Sequence, residues 1–262
     1  MKRRYVCCLV GLLLCSAQAR ADIPAAIAKV KPAVVILGTY KSTNSPRFTL
    51  RGTGFVVAGA TADRSNLVVT NAHVLQQPVD DDPLATLVVQ IRVDGAELQM
   101  RTASVLELDK VHDLALLRFD GPAAPGLMVR DSASVREGQS IAFTGFPIGG
   151  ALGFSPVTHR GMVSSITTAA LPTPSAQQLN EQAIRSLRNG VFEIFQLDAT
   201  AYPGNSGGPL FDPETAEVLG VLNMVFIKGS RESALTHPSG ISYAIPSRFI
   251  LPLIQRGQAK AP

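Results

Sequence analysis

The sequence predicts an all-β fold, either a β-barrel or a β-sandwich. Short runs of β-branched and other apolar residues recur along most of the chain. Residues that favour turns, chiefly glycine, proline, aspartate and asparagine, separate these runs. Many short strands between turn signals are typical of barrels and sandwiches. Helical patterns are confined to the two ends of the chain and to one insertion, which supports the same fold class.

The predicted elements follow one another in a regular order. Asp22 caps a short helix that has a proline in its first turn and ends before Pro32. Six strands are predicted over residues 33–40, 53–58, 66–70, 86–93, 98–108 and 113–119. A linker rich in proline, glycine and alanine covers residues 120–126. Six more strands over residues 140–144, 158–168, 192–199, 210–212, 218–226 and 240–245 precede a closing helix over residues 246–256.

A helical insertion interrupts the strand pattern between Ala169 and Gly190. Pro172 and Pro174 break the preceding strand, and Ser175 can cap a helix. The apolar residues of this helix fall on one side: Leu179, Ala183, Ile184 and Leu187. This pattern indicates a helix packed on the rest of the fold.

The first 21 residues have the pattern of a cleaved signal peptide. Lys2, Arg3 and Arg4 form a basic start, and an apolar stretch follows over residues 6–14. Small-x-small triplets at residues 17–19 and 19–21 each offer a cleavage site. The apolar stretch is too short for a comfortable membrane span. We therefore expect a periplasmic or secreted protein with no integral membrane segment after removal of the leader.

Composition narrows the classes of protein further. The 262 residues are 46% hydrophobic and 17% charged, which is typical of one large globular domain or two small ones. All three cysteines lie in the leader, so no disulfide is expected in the mature chain. The leader also holds four of the 24 basic residues, which leaves twenty bases against twenty acids. A net charge near zero gives no reason to expect nucleic acid as a partner.

The segment Gly204-Asn205-Ser206-Gly207-Gly208 carries the strongest chemical signal in the chain. Glycines allow φ values closed to other residues, so that consecutive N–H groups can point into one small volume. Ser206 is therefore the candidate nucleophile for acyl transfer, and Gly204, Asn205 and Ser206 are the candidate oxyanion hole. A tight turn between two strands is the alternative interpretation of the same residues.

Two further residues stand where a base and an orienting acid are needed. His73 follows an apolar strand pattern, and Asp113 precedes another. A serine nucleophile needs a histidine that accepts its proton and an acid that holds the imidazole in the right tautomer. The order His73, Asp113, Ser206 is that of the chymotrypsin-type double barrel.

Several segments together resemble the trypsin-like serine proteases, and within them the HtrA/Deg branch of exported bacterial proteases. They are Gly52-Thr53-Gly54-Phe55, the His73 and Asp113 segments, Gly145-Phe146-Pro147, residues 204–210 and residues 241–247. The resemblance implies two six-stranded antiparallel β-barrels of the chymotrypsin type, with short terminal helices and with the site in the cleft between the barrels. The N-terminal barrel, residues 22–120, would carry His73 and Asp113, and the C-terminal barrel, residues 127–256, would carry Ser206. The chain stops soon after the closing helix, so we expect no PDZ domain.

The resemblance also implies substrate-binding residues. Thr200, six residues before the nucleophile, would lie at the base of the S1 pocket, with Tyr202 at its mouth. The pocket wall would come from Val221, Leu222, Asn223, Met224 and Val225. Because no acid stands at position 200, we expect aliphatic P1 residues instead of lysine or arginine. In relatives a loop at the insertion senses activating peptides, so control of the oxyanion loop is a second interpretation of that segment.

The activity implied is hydrolysis of peptide bonds in unfolded or misfolded proteins by an exported serine endopeptidase. The reaction would proceed through an acyl-enzyme on polypeptide substrates and would need no cofactor. Assembly into a homo-oligomer is possible. One alternative is a catalytically silent binding or chaperone-like module on the same fold. The other is a narrow-specificity processing protease such as the exported glutamyl endopeptidases, which tend to have serine where this chain has Gly208.

No metal site is expected. His112, His159 and His237 are not at metal-ligand spacing from one another, and we interpret them as structural or loop residues. The acidic run Asp80-Asp81-Asp82 is interpreted as a solvated loop, since adjacent carboxylates rarely converge on one ion without partners.

Overall fold

Two closed antiparallel β-barrels, each of six strands, dominate the computed structural model. The structure describes residues 22–59, 63–75, 84–93, 97–147, 153–169, 192–223 and 240–259. The architecture confirms the all-β prediction and the double barrel that the sequence resemblance implied.

The first barrel is built from the segment that precedes the linker. Its strands, with one short strand outside it, are β1 (Val34–Tyr40), β2 (Phe48–Val56), β3 (Arg64–Ser65), β4 (Leu67–Asn71), β5 (Thr86–Val93), β6 (Glu97–Asp109) and β7 (Leu114–Phe119). The barrel closes in the order β1-β2-β4-β7-β6-β5, and β3 pairs with β8 (Ala124–Pro125) in the linker.

The second barrel repeats this arrangement. Its strands are β9 (Ser140–Gly145), β10 (Val157–Ala169), β11 (Phe192–Asp198), β12 (Pro209–Phe211), β13 (Val218–Asn223) and β14 (Ile241–Pro246). They close in the order β10-β11-β14-β13-β12-β9, with antiparallel pairing throughout.

Short helices flank the two barrels. The N-terminal helix Ile23–Val30 is capped by Asp22, whose side chain accepts the N–H of Ala25 at 3.3 Å. The closing helix Ile250–Ala259 begins four residues later than predicted, because Pro246 still belongs to β14 and Ser247–Phe249 forms a 3-10 turn. Further 3-10 turns lie at Lys31–Ala33, Ala72–Val74 and Ser132–Ser134.

Alternate residues of the barrel strands pack in different cores. In β1, Val35 and Leu37 lie in the core of the first barrel, whereas Val34 and Ile36 pack in a cluster that also holds residues of the second barrel and both terminal helices. In β13, Leu222 packs inside the second barrel and Val221 packs in the shared cluster. Successive side chains of a strand point to opposite faces, so strands buried on both faces read as continuous apolar runs.

The segment between β7 and β9 runs along both barrels. A parallel bridge joins Val57 to Leu127, and another joins Val129 to Val218. Arg130 in this segment forms ion pairs with two residues of the second barrel, Asp212 at 3.0 Å and Glu217 at 3.2 Å. The segment that separates the barrels in sequence is therefore fixed to each of them.

The structure differs from the sequence-based expectation at two strands. Strand β2 starts at Phe48, five residues before the predicted start, because this segment pairs with the end of β1. Asp113 lies in a turn before β7 with φ at +52°, and not in the strand itself. The predicted leader, the acidic loop and residues 170–190 of the insertion lie outside the described residues, as do residues 224–226.

In the described part of the chain, no helix has both the length and the apolar character needed to cross a membrane.

The barrel core should tolerate truncation poorly. Leu117 on β7 is fully buried among the apolar residues inside the first barrel. We expect Leu117→Ala to lower the free energy of unfolding by about 2–5 kcal/mol, since it removes buried methyl groups and leaves a cavity. Leu108→Ala on the neighbouring strand, where the side chain is 43% exposed, is the matched control and should change stability far less. Urea unfolding measures both, and equal losses would contradict the described packing.

Candidate active site

His73 and Asp113 meet at the end of the first barrel. His73 lies in the 3-10 turn that follows β4, and its backbone N–H donates to Asp113 Oδ1 at 2.8 Å. Its ring Nδ1 lies 2.6 Å from Asp113 Oδ2. An ionised carboxylate only accepts, so Nδ1 carries the hydrogen and Nε2 is left as an acceptor.

The unusual backbone of Asp113 makes this double contact possible. With φ at +52°, Asp113 turns its carbonyl back toward the end of β4, where it accepts from Ala72 N–H and Asn71 Nδ2, both at 3.1 Å. Aspartate is among the few residues that enter the left-handed region at modest cost. The backbone and side chain of Asp113 thus hold the His73 turn from two sides.

A third donor reaches Asp113 from the second barrel. Asn223, at the end of β13, is fully buried, and its Nδ2 donates to Asp113 Oδ2 at 2.7 Å. Asn223, which the resemblance placed in the S1 wall, thus directs its amide nitrogen to the carboxylate. Val221 and Leu222 are also fully buried in core clusters, so their side chains form no pocket surface in this structure.

Ser206 lies in a tight loop before β12. Gly204 and Gly207 have φ values of +103° and +85°, which only glycine adopts readily. Asn205 N–H donates to Tyr202 O at 3.0 Å. Among the described residues, the N–H groups of Gly204 and Ser206 donate to no partner. Of the three residues expected in the oxyanion hole, Asn205 is therefore the one whose N–H is already used in a turn.

Thr53 of β2 holds this loop against the first barrel. Its N–H donates to Ser206 O at 2.9 Å, and its hydroxyl donates to Gly204 O at 2.6 Å. The same hydroxyl accepts from Phe146 N–H at 3.1 Å. Thr53 O in turn accepts from Thr70 Oγ1 at 2.7 Å. One buried residue therefore connects the nucleophile loop, the segment after β9 and the strand that leads to His73.

The loop also contacts β4 and β13 directly. A Cβ at Gly207 would overlap Thr53 O and Thr70 Oγ1, so only glycine fits there. Gly207 N–H donates to Leu222 O at 3.0 Å, one residue before Asn223. Ser206 is itself buried at 7% exposure. Among the described residues no hydrogen bond joins its hydroxyl to His73, a contact that often tightens only when substrate is bound.

Asn205 is the one loop residue in this region whose buried side chain stays unsatisfied. It is fully buried, and neither atom of its amide has a hydrogen-bond partner in the structure. Its Oδ1 lies beside Gly145, where an added Cβ would come within 2.7 Å. Burial of an unpaired amide costs stability, so the loop conformation depends on the backbone contacts that Thr53 supplies.

His112 fixes the turn that carries Asp113. Its ring stacks on Phe249 with centroids 4.0 Å apart and meets Phe192 edge-on at 5.0 Å. Both its Nδ1 and its backbone N–H contact the Asp109 carboxylate, at 3.0 and 3.1 Å. Burial alone would raise the pKa of Asp109, but these hydrogen bonds, with the charges of His112 and Arg256, hold the pKa below its ordinary value. These contacts are of the kind that a structural histidine makes.

The remaining predicted residues are more dispersed. Thr200 and Tyr202 are half-buried, and Met224 and Val225 lie outside the described residues. His159 stacks on the buried Phe143 with centroids 5.0 Å apart, and burial lowers its pKa. Sequence reasoning gave no role to Thr53, although a hydroxyl between two glycines in an apolar strand is a signal of close backbone approach. Within the described ranges, no group of three or more His, Cys, Asp or Glu residues is placed to hold a metal ion.

Comparison with known proteins gives a consistent result. The family model described as the trypsin-like peptidase domain matches residues 52–221. The chain is 28% identical over 224 residues to serine protease HTRA1B of Danio rerio, an alignment that covers 84% of this chain and 38% of the relative. It is 31% identical over 196 residues to a probable periplasmic DegP-like serine endoprotease of Halomonas elongata, covering 74% of this chain and 32% of the relative. The chain thus spans well under half the length of these relatives.

Solved structures share the fold. An HtrA-type protease AlgW with a decapeptide superposes with a TM-score of 0.63 at 21% sequence identity, covering 91% of this chain and 68% of the other. A second AlgW structure, with a tripeptide, gives a TM-score of 0.61 at 24% identity and covers 89% of this chain and 62% of the other.

The Thr53 hydroxyl can be removed with little change in shape. We expect Thr53→Val to lower the free energy of unfolding by about 1–3 kcal/mol, because the carbonyl of Gly204 and the N–H of Phe146 lose a buried partner. Thr49→Val on the same strand is the matched control, since Thr49 is exposed and should tolerate the change. Thermal unfolding compares the two variants. A Thr53 variant as stable as the control would show that the hydroxyl does not hold the loop.

Proposed function

The chain belongs to the trypsin-like peptidase family, and on that premise we propose that it is an exported serine endopeptidase of the HtrA type. Its substrates are unfolded or misfolded polypeptides, its reaction is peptide-bond hydrolysis through an acyl-enzyme, and its reactive groups are Ser206, His73 and Asp113. The observation that carries this proposal is the Asp113 carboxylate, which receives the His73 ring at 2.6 Å and two further N–H donors.

The carboxylate prepares His73 for its role as base. Because Nδ1 donates to Asp113, the lone pair of Nε2 is available for the Ser206 proton. The negative charge of Asp113 stabilises the imidazolium that forms when the proton arrives. The 3-10 turn fixes the ring at 27% side-chain exposure, so it borders solvent while its Nδ1 edge is enclosed.

Ser206 opens the reaction. As the Ser206 hydroxyl attacks the substrate carbonyl carbon, its proton moves to His73 Nε2 and the carbonyl oxygen becomes an oxyanion. The backbone N–H groups of Gly204 and Ser206 donate to that oxygen. They support this assignment because neither has a partner among the described residues. Donors aimed at charge that develops in the transition state are the largest single contribution in many enzymes.

Collapse of the tetrahedral intermediate completes acylation. The C–N bond breaks, His73 returns its proton to the leaving amine, and Ser206 keeps the acyl group as an ester. A water molecule then gives a proton to His73 and attacks the ester, and the serine leaves with that proton restored. The His73 imidazole carries the proton in every step, and no atom changes its oxidation state. The reaction therefore needs no redox partner.

Substrate selection rests on fewer contacts. Thr200 is half-buried six residues before Ser206 and has no charge to pair with a basic P1 side chain. We assign aliphatic P1 residues to this site, with Thr200 at the pocket base and Tyr202 near its mouth. The signal-peptide pattern and the periplasmic name of the DegP-like relative support an extracytoplasmic location.

Removal of the nucleophile tests the proposal directly. Ser206→Ala should abolish cleavage of unfolded casein, with a loss of roughly 10⁶ in kcat, and should also abolish fluorophosphonate labelling. Ser134→Ala, at an exposed serine of the second barrel, should retain both. Circular dichroism establishes that each variant is folded. Casein cleavage at the unmodified rate by Ser206→Ala would assign the reaction to another residue.

Asn223 acts as a positioning residue through Asp113. Asn223→Ala removes one charge-assisted hydrogen bond from the carboxylate, so kcat should fall by about ten- to a hundredfold with KM little changed. The rate of fluorophosphonate labelling should fall by the same factor, since it depends on the same base. Asn66→Ala removes an amide that donates to Phe119 O at 3.3 Å in the first barrel, and serves as the matched control. A rise in KM at constant kcat would instead return Asn223 to a substrate-binding role.

A further inference from the structure

A second cleft lies apart from the candidate active site. Its volume is about 760 Å³, and none of its lining residues belongs to the reactive constellation described above. The end of the N-terminal helix, strands β5 and β6 and the inter-barrel linker form its sides, and Ser155 and Pro156 of the second barrel complete it. The cleft therefore spans the junction of the two barrels.

The charge of this cleft has one sign. Four cationic side chains line it, Lys31, Arg64, Arg92 and Arg101, and its described lining residues include no aspartate or glutamate. The mature chain is close to neutral in total, so this is a local concentration of positive charge. Clefts lined by charges of one sign focus the electrostatic potential and attract counter-charged ligands.

Backbone carbonyls hold two of the guanidinium groups at the rim. Arg64 Nη2 donates to Ala123 O at 2.7 Å, and Arg101 Nη1 donates to Pro122 O on the adjacent residue. Arg101 Nη2 also donates to Gln99 Oε1 at 3.2 Å. A guanidinium has five N–H donors, so both groups keep donors that the protein leaves unused. Their positions are thus set before any ligand arrives.

Three of the four cations form no ion pair in the part of the chain that the structure describes. Among the described residues, Lys31, Arg64 and Arg101 form no ion pair, in contrast to Arg130, Arg248 and Arg256. Arg92 donates to Phe154 O in the second barrel. Mutual repulsion of uncompensated cations opposes folding, and a bound anion relieves it.

The rim favours a peptide over a small inorganic anion. Apolar side chains that are at least partly exposed line the cleft beside the cations: Pro32, Val93, Pro122 and Pro125. Such surfaces pack against the backbone and aliphatic parts of an extended chain, while guanidinium groups pair with carboxylates in a bidentate manner. A carboxylate-bearing polypeptide satisfies both features of the cleft.

We propose that this cleft is an exosite that binds an acidic segment of a polypeptide substrate. The proposal rests on the proposed protease function for the identity of the occupant. An acidic stretch held here tethers the substrate, so that bonds elsewhere in the same chain meet the reactive serine at a raised effective concentration. Substrates with such a stretch therefore have a lower KM than those without it.

Binding can be measured without cleavage. The probe is a fluorescein-labelled peptide in which glutamates alternate with alanine and proline, titrated with the Ser206→Ala protein and followed by anisotropy. We expect saturable binding that is lost when glutamine replaces the glutamates, and that weakens strongly in about 1 M salt, where the Debye length is about 3 Å. The double variant Arg64→Gln/Arg101→Gln should bind at least about tenfold more weakly, as expected for loss of two charge-assisted contacts.

Matched variants locate the site. Arg136→Gln/Arg160→Gln removes the same charge from exposed positions outside the cleft and should bind as the parent does. Lys31→Glu, whose side chain makes no hydrogen bond in the described structure, provides a second test if the arginine pair proves necessary for folding. It should also weaken binding at least about tenfold.

Three results would overturn the exosite. They are equal binding by the cleft variants and the parent, equal binding of the glutamine peptide, and binding of phosphatidylglycerol vesicles in place of the peptide. Because the Ser206→Ala protein cannot hydrolyse the probe, loss of the exosite and failure of the protease assignment give separate readouts.

Discussion

The contact of Thr53 with the nucleophile loop is the constraint on which the site depends. Thr53 belongs to the first barrel, yet its N–H and hydroxyl bind the carbonyls of Ser206 and Gly204 in the second. Each such bond stabilises the protein by about 0.5–1.5 kcal/mol in net terms, and a buried partner left unmet costs more. Because Thr53 binds the carbonyls of Gly204 and Ser206, the N–H groups of this loop point away from Thr53. In this way Thr53, which is not one of the proposed reactive residues, sets the shape of the loop that carries Ser206.

Apolar packing between the barrels brings these polar contacts into register. Strands such as β1 and β7 bury both of their faces, one inside their own barrel and one against the other. The second face shares a cluster with β13 and with the closing helix, so the ends of β4 and β13 lie at a fixed distance. Asp113 can then accept from His73 on its own barrel and from Asn223 on the opposite one. Hydrogen bonds of this kind need positions accurate to a few tenths of an ångström, which only close-packed cores provide.

The sequence allowed prediction of the fold, and both the strands and the candidate reactive residues leave local signals. Apolar runs between turn residues locate strands, and Ser206 stands among glycines that few other roles require. Long-range contacts leave no such signal: Thr53 Oγ1 and the Gly204 carbonyl are 151 residues apart in the chain. The resemblance placed Asn223 in the S1 wall, but a motif does not tell which face of a strand an end residue takes, because successive side chains point to opposite faces. The turn bond of Asn205 N–H to Tyr202 O likewise depends on φ values that the sequence does not give.

The position of β13 near the end of the chain has a consequence for synthesis. A growing polypeptide contains His73 and Asp113 from its first half, but Leu222 and Asn223 emerge only after most of the second barrel. Until they do, the loop around Ser206 lacks its bond to β13 and the carboxylate lacks its third donor. A chain that ends between Ser206 and Leu222 therefore holds the three proposed reactive side chains without the contacts that arrange them. On the proposed function, the order of translation delays assembly of the site until β13 has been made.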